Sequence, residues 1–236
     1  MRWPGAWAVL LLGLWGLPAA ADLSGVMPAL RADFQRLGRP GSLGLVASAL
    51  AGGALVHRWD DEVKSPLVER AAFKRLLDAG NAYGSSLNAL GGLAGVWVLG
   101  RTTGHSLLQT TATDLGRSLL LANAMVVPIK EVARRRRPDG SDRRSFPSGH
   151  SANAFAMSTA LVRRHGVRVG APFLALAALT PLARIQKRRH YLSDVVTGGV
   201  LGVAAGLAVG DPAGRVALLP IAPAGGWGLE VQVVSK

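Results

Sequence analysis

The sequence contains no cysteine. Disulfides, a thiolate nucleophile and any cysteine-based zinc site are therefore excluded. Aromatic residues are scarce, at 6% of the chain, which leaves little to stack against the bases of a nucleic acid. Acidic residues are also few, 14 against 27 lysines and arginines. They nowhere gather into the carboxylate cluster that a divalent metal favours, so no metal and no cofactor is expected. Long apolar runs are missing too. Most apolar stretches fall short of the roughly 20 residues of a membrane span, so spanning helices and a soluble bundle both remain open.

What is present points to helices and to an anion. Hydrophobic residues make up 49% of the chain, and there are 30 glycines. That composition suits close-packed helices, and 236 residues suffice for one domain with a sizeable core. The net charge of +13 calls for an anionic partner: nucleic acid, anionic membrane or a phosphate-bearing substrate.

Residues 1–21 have the pattern of a secretory signal. Arg2 supplies the positive start, residues 6–17 the apolar stretch, and Ala19, Ala20 and Ala21 a small-residue cleavage site. Gly13, Gly16 and Pro18 interrupt the run and favour cleavage over a retained anchor. The expected destination is the bacterial cell envelope, either the inner membrane with a periplasm-facing site or the periplasm. Residues 22–42 form an N-terminal segment with one short helix near 28–37. Six apolar helices are expected at 42–56, 85–99, 107–129, 148–162, 169–182 and 193–209. The charged stretch 59–75 belongs in water, although 67–77 has helical spacing. Gly198, Gly202, Gly206 and Gly210 recur once per turn and offer a face for a close neighbour. Beyond Asp211 the pattern changes to a β-hairpin, 215–221 and 227–234. The expected fold is all-α: a bundle of about six helices at 43–211, followed by a hairpin tail at 212–236.

Three stretches carry chemistry. In the first, Lys130 and Arg137 are seven residues apart, two helical turns, and Pro138 then ends the helix. In the second, Pro147, Ser148, Gly149 and His150 read as a capped helix start, where a hydroxyl and free N–H groups meet an anion. In the third, Arg184 precedes His190 by six residues, and Asp194 follows it by four. A carboxylate accepting from Nδ1–H fixes the imidazole tautomer and leaves Nε2 as a nucleophile. Arg184 can fork onto an anion. Each stretch alone also fits an ordinary role: a capped helix, a solvated basic run, a surface His–Asp pair.

Together, in this order, they resemble the signature of the type 2 phosphatidic acid phosphatase superfamily, which includes bacterial acid phosphatases, glucose-6-phosphatase and vanadium haloperoxidases. The pattern is Lys-x6-Arg-Pro, then Pro-Ser-Gly-His, then Ser-Arg-x5-His-x3-Asp. This chain matches it at Lys130, Arg137, Pro138, Pro147, Ser148, Gly149, His150, Arg184, His190 and Asp194, and departs at Ala183, where the family has serine. The resemblance implies that His190 attacks phosphorus and becomes a phosphohistidine. It implies that Asp194 orients His190, and that His150 protonates the leaving group and then activates water. Lys130, Arg137, Ser148, Gly149 and Arg184 would hold the phosphate oxygens. No metal is implied. His57, His105 and His165 have no motif partner, and Arg134, Arg135 and Arg136 supply positive potential that suits an anionic membrane surface.

The expected function is a phosphatase acting on a lipid phosphate such as phosphatidate, phosphatidylglycerophosphate, undecaprenyl pyrophosphate or lipid A. The alternatives are a soluble periplasmic acid phosphatase, a vanadate-dependent haloperoxidase and a non-enzymatic binder of anionic lipid. Nucleic acid is disfavoured by the secretory start.

Overall fold

The computed structural model describes residues 25–63, 71–210 and two C-terminal strands, 216–221 and 228–233. Eight α-helices occur among them: α1 Val26–Leu37, α2 Pro40–Val56, α3 Ala71–Gly84, α4 Ser86–Thr103, α5 Ser106–Ala133, α6 Gly149–His165, α7 Val167–Gln186 and α8 Leu192–Ala208. A short 3₁₀ turn, His57–Trp59, follows α2. The two strands, β1 Val216–Ile221 and β2 Gly228–Val233, pair antiparallel with Val216 opposite Val233. The expected signal at 1–21 and residues 64–70 lie outside the described residues.

Local sequence explains the joints. Pro40 opens α2 at a position where its missing N–H costs nothing. Two glycines at positive φ, Gly104 (74°) and Gly166 (83°), turn α4 into α5 and α6 into α7. α6 is the central helix: eleven of its 17 residues are buried, and it packs against α8, α7 and α5. The core is built mostly of small side chains, with Ala49, Ala122, Ala152, Ala156 and Ala205 around Leu121, Val126 and Leu201. Full burial of each such leucine contributes about 1.5–3 kcal/mol.

Close approach depends on glycine. A Cβ on Gly198 would run into the Ser148 carbonyl, and one on Gly202 into the Ala152 carbonyl. One on Gly206 would stand 2.6 Å from the Ala156 carbonyl. The expected stripe is therefore real at three positions. Gly210 lies beyond the helix with φ 112° and nothing within 4 Å.

The all-α bundle is as expected: among the described residues the six apolar helices are joined by α1, where a short helix was expected near 28–37, and by α3, which begins within the stretch of helical spacing at 67–77. α3 runs on to Gly84, where a Cβ would stand 2.6 Å from the His150 carbonyl. The expectation for the charged stretch 59–75 needs correction, since it is not wholly solvated. Asp60 is 3% exposed, held by the Ser193 N–H (2.8 Å) and the Ser193 hydroxyl (2.6 Å). Segments 40–59 and 167–186 are long and apolar enough to cross a membrane. Leu43, Leu50 and Leu55 on α2 and Val167, Val169 and Phe173 on α7 are exposed.

Candidate active site

The three sequence stretches converge at one end of the bundle. The end of α5, the start of α6, the end of α7 and the start of α8 meet there through the loops 134–148 and 187–191. α5 stops at Ala133, because Arg134 adopts the left-handed conformation at φ 43°. The helix thus ends four residues short of Arg137, which sits in the following loop. Arg137 reaches the site through its partners. Its Nε donates to Asp142 Oδ1 at 2.7 Å, and its Nη1 donates to the Arg189 carbonyl at 2.9 Å and to His190 Nε2 at 3.1 Å.

That last bond settles the state of His190. A guanidinium in a protein has only hydrogens to give. Nε2 must therefore be the accepting, lone-pair nitrogen, and Nδ1 carries the proton. Burial first, then the charges of Lys130, Arg184 and Arg137, push this imidazole down to about 4, while Asp194 pulls the other way. His190 is neutral at neutral pH, with its lone pair on the nitrogen that faces the cations. Its Nδ1 lies 3.6 Å from Asp194 Oδ2, an ionic approach longer than a hydrogen bond, and it has no hydrogen-bond partner. Such contacts tighten when substrate binds.

Asp194 is fully buried and held from several sides. Oδ2 accepts from the Ser145 hydroxyl at 2.5 Å and from the Tyr191 N–H at 2.9 Å. Oδ1 accepts from Arg135 Nη1 at 2.8 Å. Its backbone carbonyl accepts from the Ser148 N–H at 2.9 Å, so the second and third stretches are tied directly to each other.

Ser148 caps α6 as its sequence predicts: its Oγ accepts from the Ser151 N–H at 3.4 Å and from the Ser151 hydroxyl at 3.1 Å. Gly149 faces Lys130, whose Cε would lie 4.0 Å from a Cβ placed there. The Lys130 ammonium donates to the carbonyls of Arg144 (2.9 Å), Ser145 (3.4 Å) and Pro147. In this state it secures the loop that delivers Ser148 to His150. His150 is half-buried in the first turn of α6, within the field of Arg184, His190, Arg137 and Lys130. Arg184 is 8% exposed. Its Nη1 donates to Asn81 Oδ1 on α3 at 2.8 Å, and its Nε is buried without a partner. All eight sequence-predicted residues thus belong to one neighbourhood. A cavity of about 210 Å³ opens on His190, lined also by Pro138, Ile185, Arg188 and Tyr191. Among the described residues, no group of three histidines or carboxylates is placed to hold a metal.

Sequence reasoning missed the support of this site. Arg135 lies in a run of four arginines that reads as general positive charge, yet it bridges two buried carboxylates. Its Nη1 donates to Asp194 and to the Ser193 hydroxyl (2.6 Å), its Nη2 donates to Asp60 Oδ2 (2.7 Å), and its guanidinium stacks 4.0 Å from the Tyr191 ring. Asp60, Ser145 and Asn81 were also missed, because nothing local in the sequence says that a distant loop will bring them here.

A neutral, lone-pair histidine backed by a carboxylate and surrounded by guanidinium, ammonium and a helix N-terminus is an arrangement with the charge to hold an anion. Residues 111–210 match the PAP2 superfamily. It is 37% identical over 93 residues to the lipid A 1-phosphatase of Porphyromonas gingivalis, covering 37% of this chain and 20% of that protein. It is 39% identical over 93 residues to the decaprenylphosphoryl-5-phosphoribose phosphatase of Mycolicibacterium smegmatis, covering 36% of this chain and 50% of that one. The chain thus spans a fifth to a half of the length of these relatives. Its fold is shared with LpxE of Aquifex aeolicus, at TM-score 0.51 and 19% identity over 64% of this chain and 91% of that one. It is shared too with a transmembrane PAP2-type phosphatidylglycerolphosphate phosphatase of Bacillus subtilis, at TM-score 0.54 and 21% identity over 72% and 94%.

Proposed function

We propose that this protein is a membrane-bound phosphatase of the bacterial envelope that removes phosphate from a lipid phosphate ester or pyrophosphate, without metal, through a phosphohistidine at His190. The observation that carries the mechanism is the Arg137–His190 bond, which puts the lone pair on Nε2. The two curated relatives, named as phosphatases of lipid A and of a decaprenyl phosphosugar, support the lipid substrate class. The two long apolar segments and their exposed leucines and valines support a membrane setting. The signal-like pattern of residues 1–21 supports a periplasm-facing site.

In the first step the incoming phosphate takes the guanidinium of Arg137 and frees Nε2 to attack phosphorus. An N–P bond forms, the ester P–O bond breaks, and the leaving oxygen takes a proton from His150. The negative charge of the phosphate favours the protonated form of His150 at that moment. Asp194 stabilises the cationic ring of His190. Arg137, Arg184, Lys130, the Ser148 hydroxyl and the Gly149 N–H hold the other oxygens, a task of charge and position. In the second step His150 takes a proton from water, the oxygen attacks phosphorus, the N–P bond breaks and inorganic phosphate leaves. The test is phosphate release in EDTA from phosphatidate, phosphatidylglycerophosphate, undecaprenyl pyrophosphate, lipid A and a small soluble ester. Lipid esters are cleaved by wild type and spared by His190→Ala. Silence on the whole panel overturns the proposal.

A further inference from the structure

Arg184 comes to the phosphate site with one nitrogen of its guanidinium already engaged. Its Nη1 donates to Asn81 Oδ1 at 2.8 Å, while its Nε is buried without a partner. A guanidinium only donates, so Asn81 must turn its side-chain oxygen, not its nitrogen, toward it. The surroundings of Asn81 on α3 hold that oxygen still. Gly80 lets α3 lie directly on α7, since a Cβ there would stand 2.7 Å from Leu179 Cβ and 2.9 Å from the Leu179 carbonyl carbon. The Gly80 carbonyl accepts from the Thr180 hydroxyl at 2.7 Å. Beyond Asn81, the Gly84 carbonyl accepts from Asn153 Nδ2 on α6 at 3.2 Å. Between these two points the Tyr83 and Ser158 hydroxyls share a hydrogen bond of 2.9 Å. Asn81 therefore projects from a helix that is tied to α7 just before it and to α6 just after it.

We infer that Asn81 is a positioning residue of the phosphate site: it holds the Nη1 end of Arg184 and so turns the Nε edge of the guanidinium toward the phosphate. The inference rests on the phosphatase reading above and adds to it a residue outside the three motif stretches. The type of side chain fits the task. An arginine that grips an anion gives up the freedom of a long side chain, and an acceptor fixed in advance removes that cost from the binding step. A carboxylate at position 81 would also fix the guanidinium, but it would offset the positive charge before substrate arrives. A neutral amide accepts one hydrogen bond and leaves the charge to the anion, which Nε and the nitrogen beside it can take as a fork. Asn81 is half-buried, so its side chain can be changed without opening a cavity in the core.

The test measures kcat, KM, inhibition by inorganic phosphate and Tm for wild type, Asn81→Ala, Asn81→Leu, Asn81→Asp and Asp78→Asn. The substrates are p-nitrophenyl phosphate and the lipid phosphate of the panel above that is cleaved best. Asn81→Ala and the similarly sized Asn81→Leu lower kcat about tenfold on both esters, as expected of an anion-binding group left unaimed, and weaken phosphate inhibition. Asn81→Asp keeps the acceptor, so its kcat stays within about threefold of wild type, while KM rises because the added charge opposes the phosphate equally before and during the reaction. Asp78→Asn breaks a neighbouring α3–α7 contact, an exposed ion pair with Lys187 at 2.8 Å. It leaves kcat/KM within about twofold of wild type. Wild-type kcat in Asn81→Ala and Asn81→Leu overturns the positioning role. So does a loss of kcat in Asn81→Asp or Asp78→Asn as large as in Asn81→Ala, and so does failure of both Asn81→Ala and Asn81→Leu to fold. A wild type inactive on every ester sinks the phosphatase reading instead. Equilibrium dialysis with radiolabelled inorganic phosphate then decides the role of Asn81: binding about tenfold weaker in Asn81→Ala supports it, and equal binding or none overturns it.

Discussion

Replacing Arg135 with methionine tests whether the Asp194 carboxylate is held by the network described above. The change removes three charge-assisted hydrogen bonds, to Asp194, Asp60 and Ser193, and the stack on Tyr191. It keeps most of the apolar stem. Removing one partner of a buried ion pair costs about 3–5 kcal/mol, because a buried charge is left behind. Arg135 is 21% exposed, and both carboxylates keep other donors. The expected loss is therefore at the low end, about 3 kcal/mol. For a domain of this size that lowers Tm by roughly 6–12 °C, measured by thermal denaturation in detergent. With one anchor gone, Asp194 no longer holds the His190 ring in line, and kcat falls by about 10–100-fold, or roughly 1.4–2.7 kcal/mol of barrier. Adding Asp60→Asn removes one of the two stranded charges. The double variant should be less destabilised than the sum of the single ones by about 1 kcal/mol or more. If Arg135→Met melts within about 2 °C of wild type with unchanged kcat, Arg135 is only part of the general positive surface, and the support network is refuted.

Other outcomes follow from the same geometry. His190→Ala abolishes phosphate release, and wild type quenched during turnover with radiolabelled substrate carries an alkali-stable label on His190; label elsewhere sinks the phosphohistidine. The pH profile of kcat/KM tests the state of His190. The nucleophile must be neutral, and its pKa lies near 4, so activity limited by it is retained from neutral pH downward and lost only as pH falls through about 4. An acid limb with a midpoint near the ordinary histidine value of about 6.5 refutes the buried, cation-flanked state. Lys130→Met frees the 144–147 segment from three carbonyl contacts. It lowers kcat/KM on lipid and small esters alike, by about 10²–10³ if the ammonium also reaches the transition state; a loss on lipids alone contradicts this.

Much of the site was legible because its residues act through local chemistry. Ser148 is a helix cap wherever such a loop meets an apolar run, and the spacing of His190 and Asp194 brings them onto one side of the start of α8. The glycines at 198, 202 and 206 announced a close neighbour by period alone. What stayed hidden depends on contacts between distant segments. Asp60 looked solvated because its neighbours Asp61 and Glu62 are charged, yet α2 delivers it beneath Ser193. Arg135 was masked by Arg134 and Arg136, which are exposed. No local pattern distinguishes the one arginine whose loop turns inward. The site of Arg137 was anticipated, but from a continued helix; the left-handed turn at Arg134 puts it there from a loop.

The glycine stripe joins packing to catalysis, and one pair of variants can separate the two. A Cβ on Gly198 would collide with the Ser148 carbonyl and lie 3.2 Å from the Ser148 nitrogen. That nitrogen donates to the Asp194 carbonyl, the bond that ties the His150 segment to the His190 segment. A Cβ on Gly202 would collide with Ala152 one turn deeper, where no site residue lies. Overpacking at either position costs about 1–3 kcal/mol, so Gly198→Ala and Gly202→Ala should lose similar amounts of Tm. They should differ in chemistry. Gly198→Ala pushes Ser148 and Gly149 away from His190 and lowers kcat by about a hundredfold, the cost of a misplacement near 1 Å. Gly202→Ala keeps that geometry and most of its kcat. If the two lose activity equally, the helix contact acts only through stability, and the Ser148–Asp194 bond has no part in placing the two histidines.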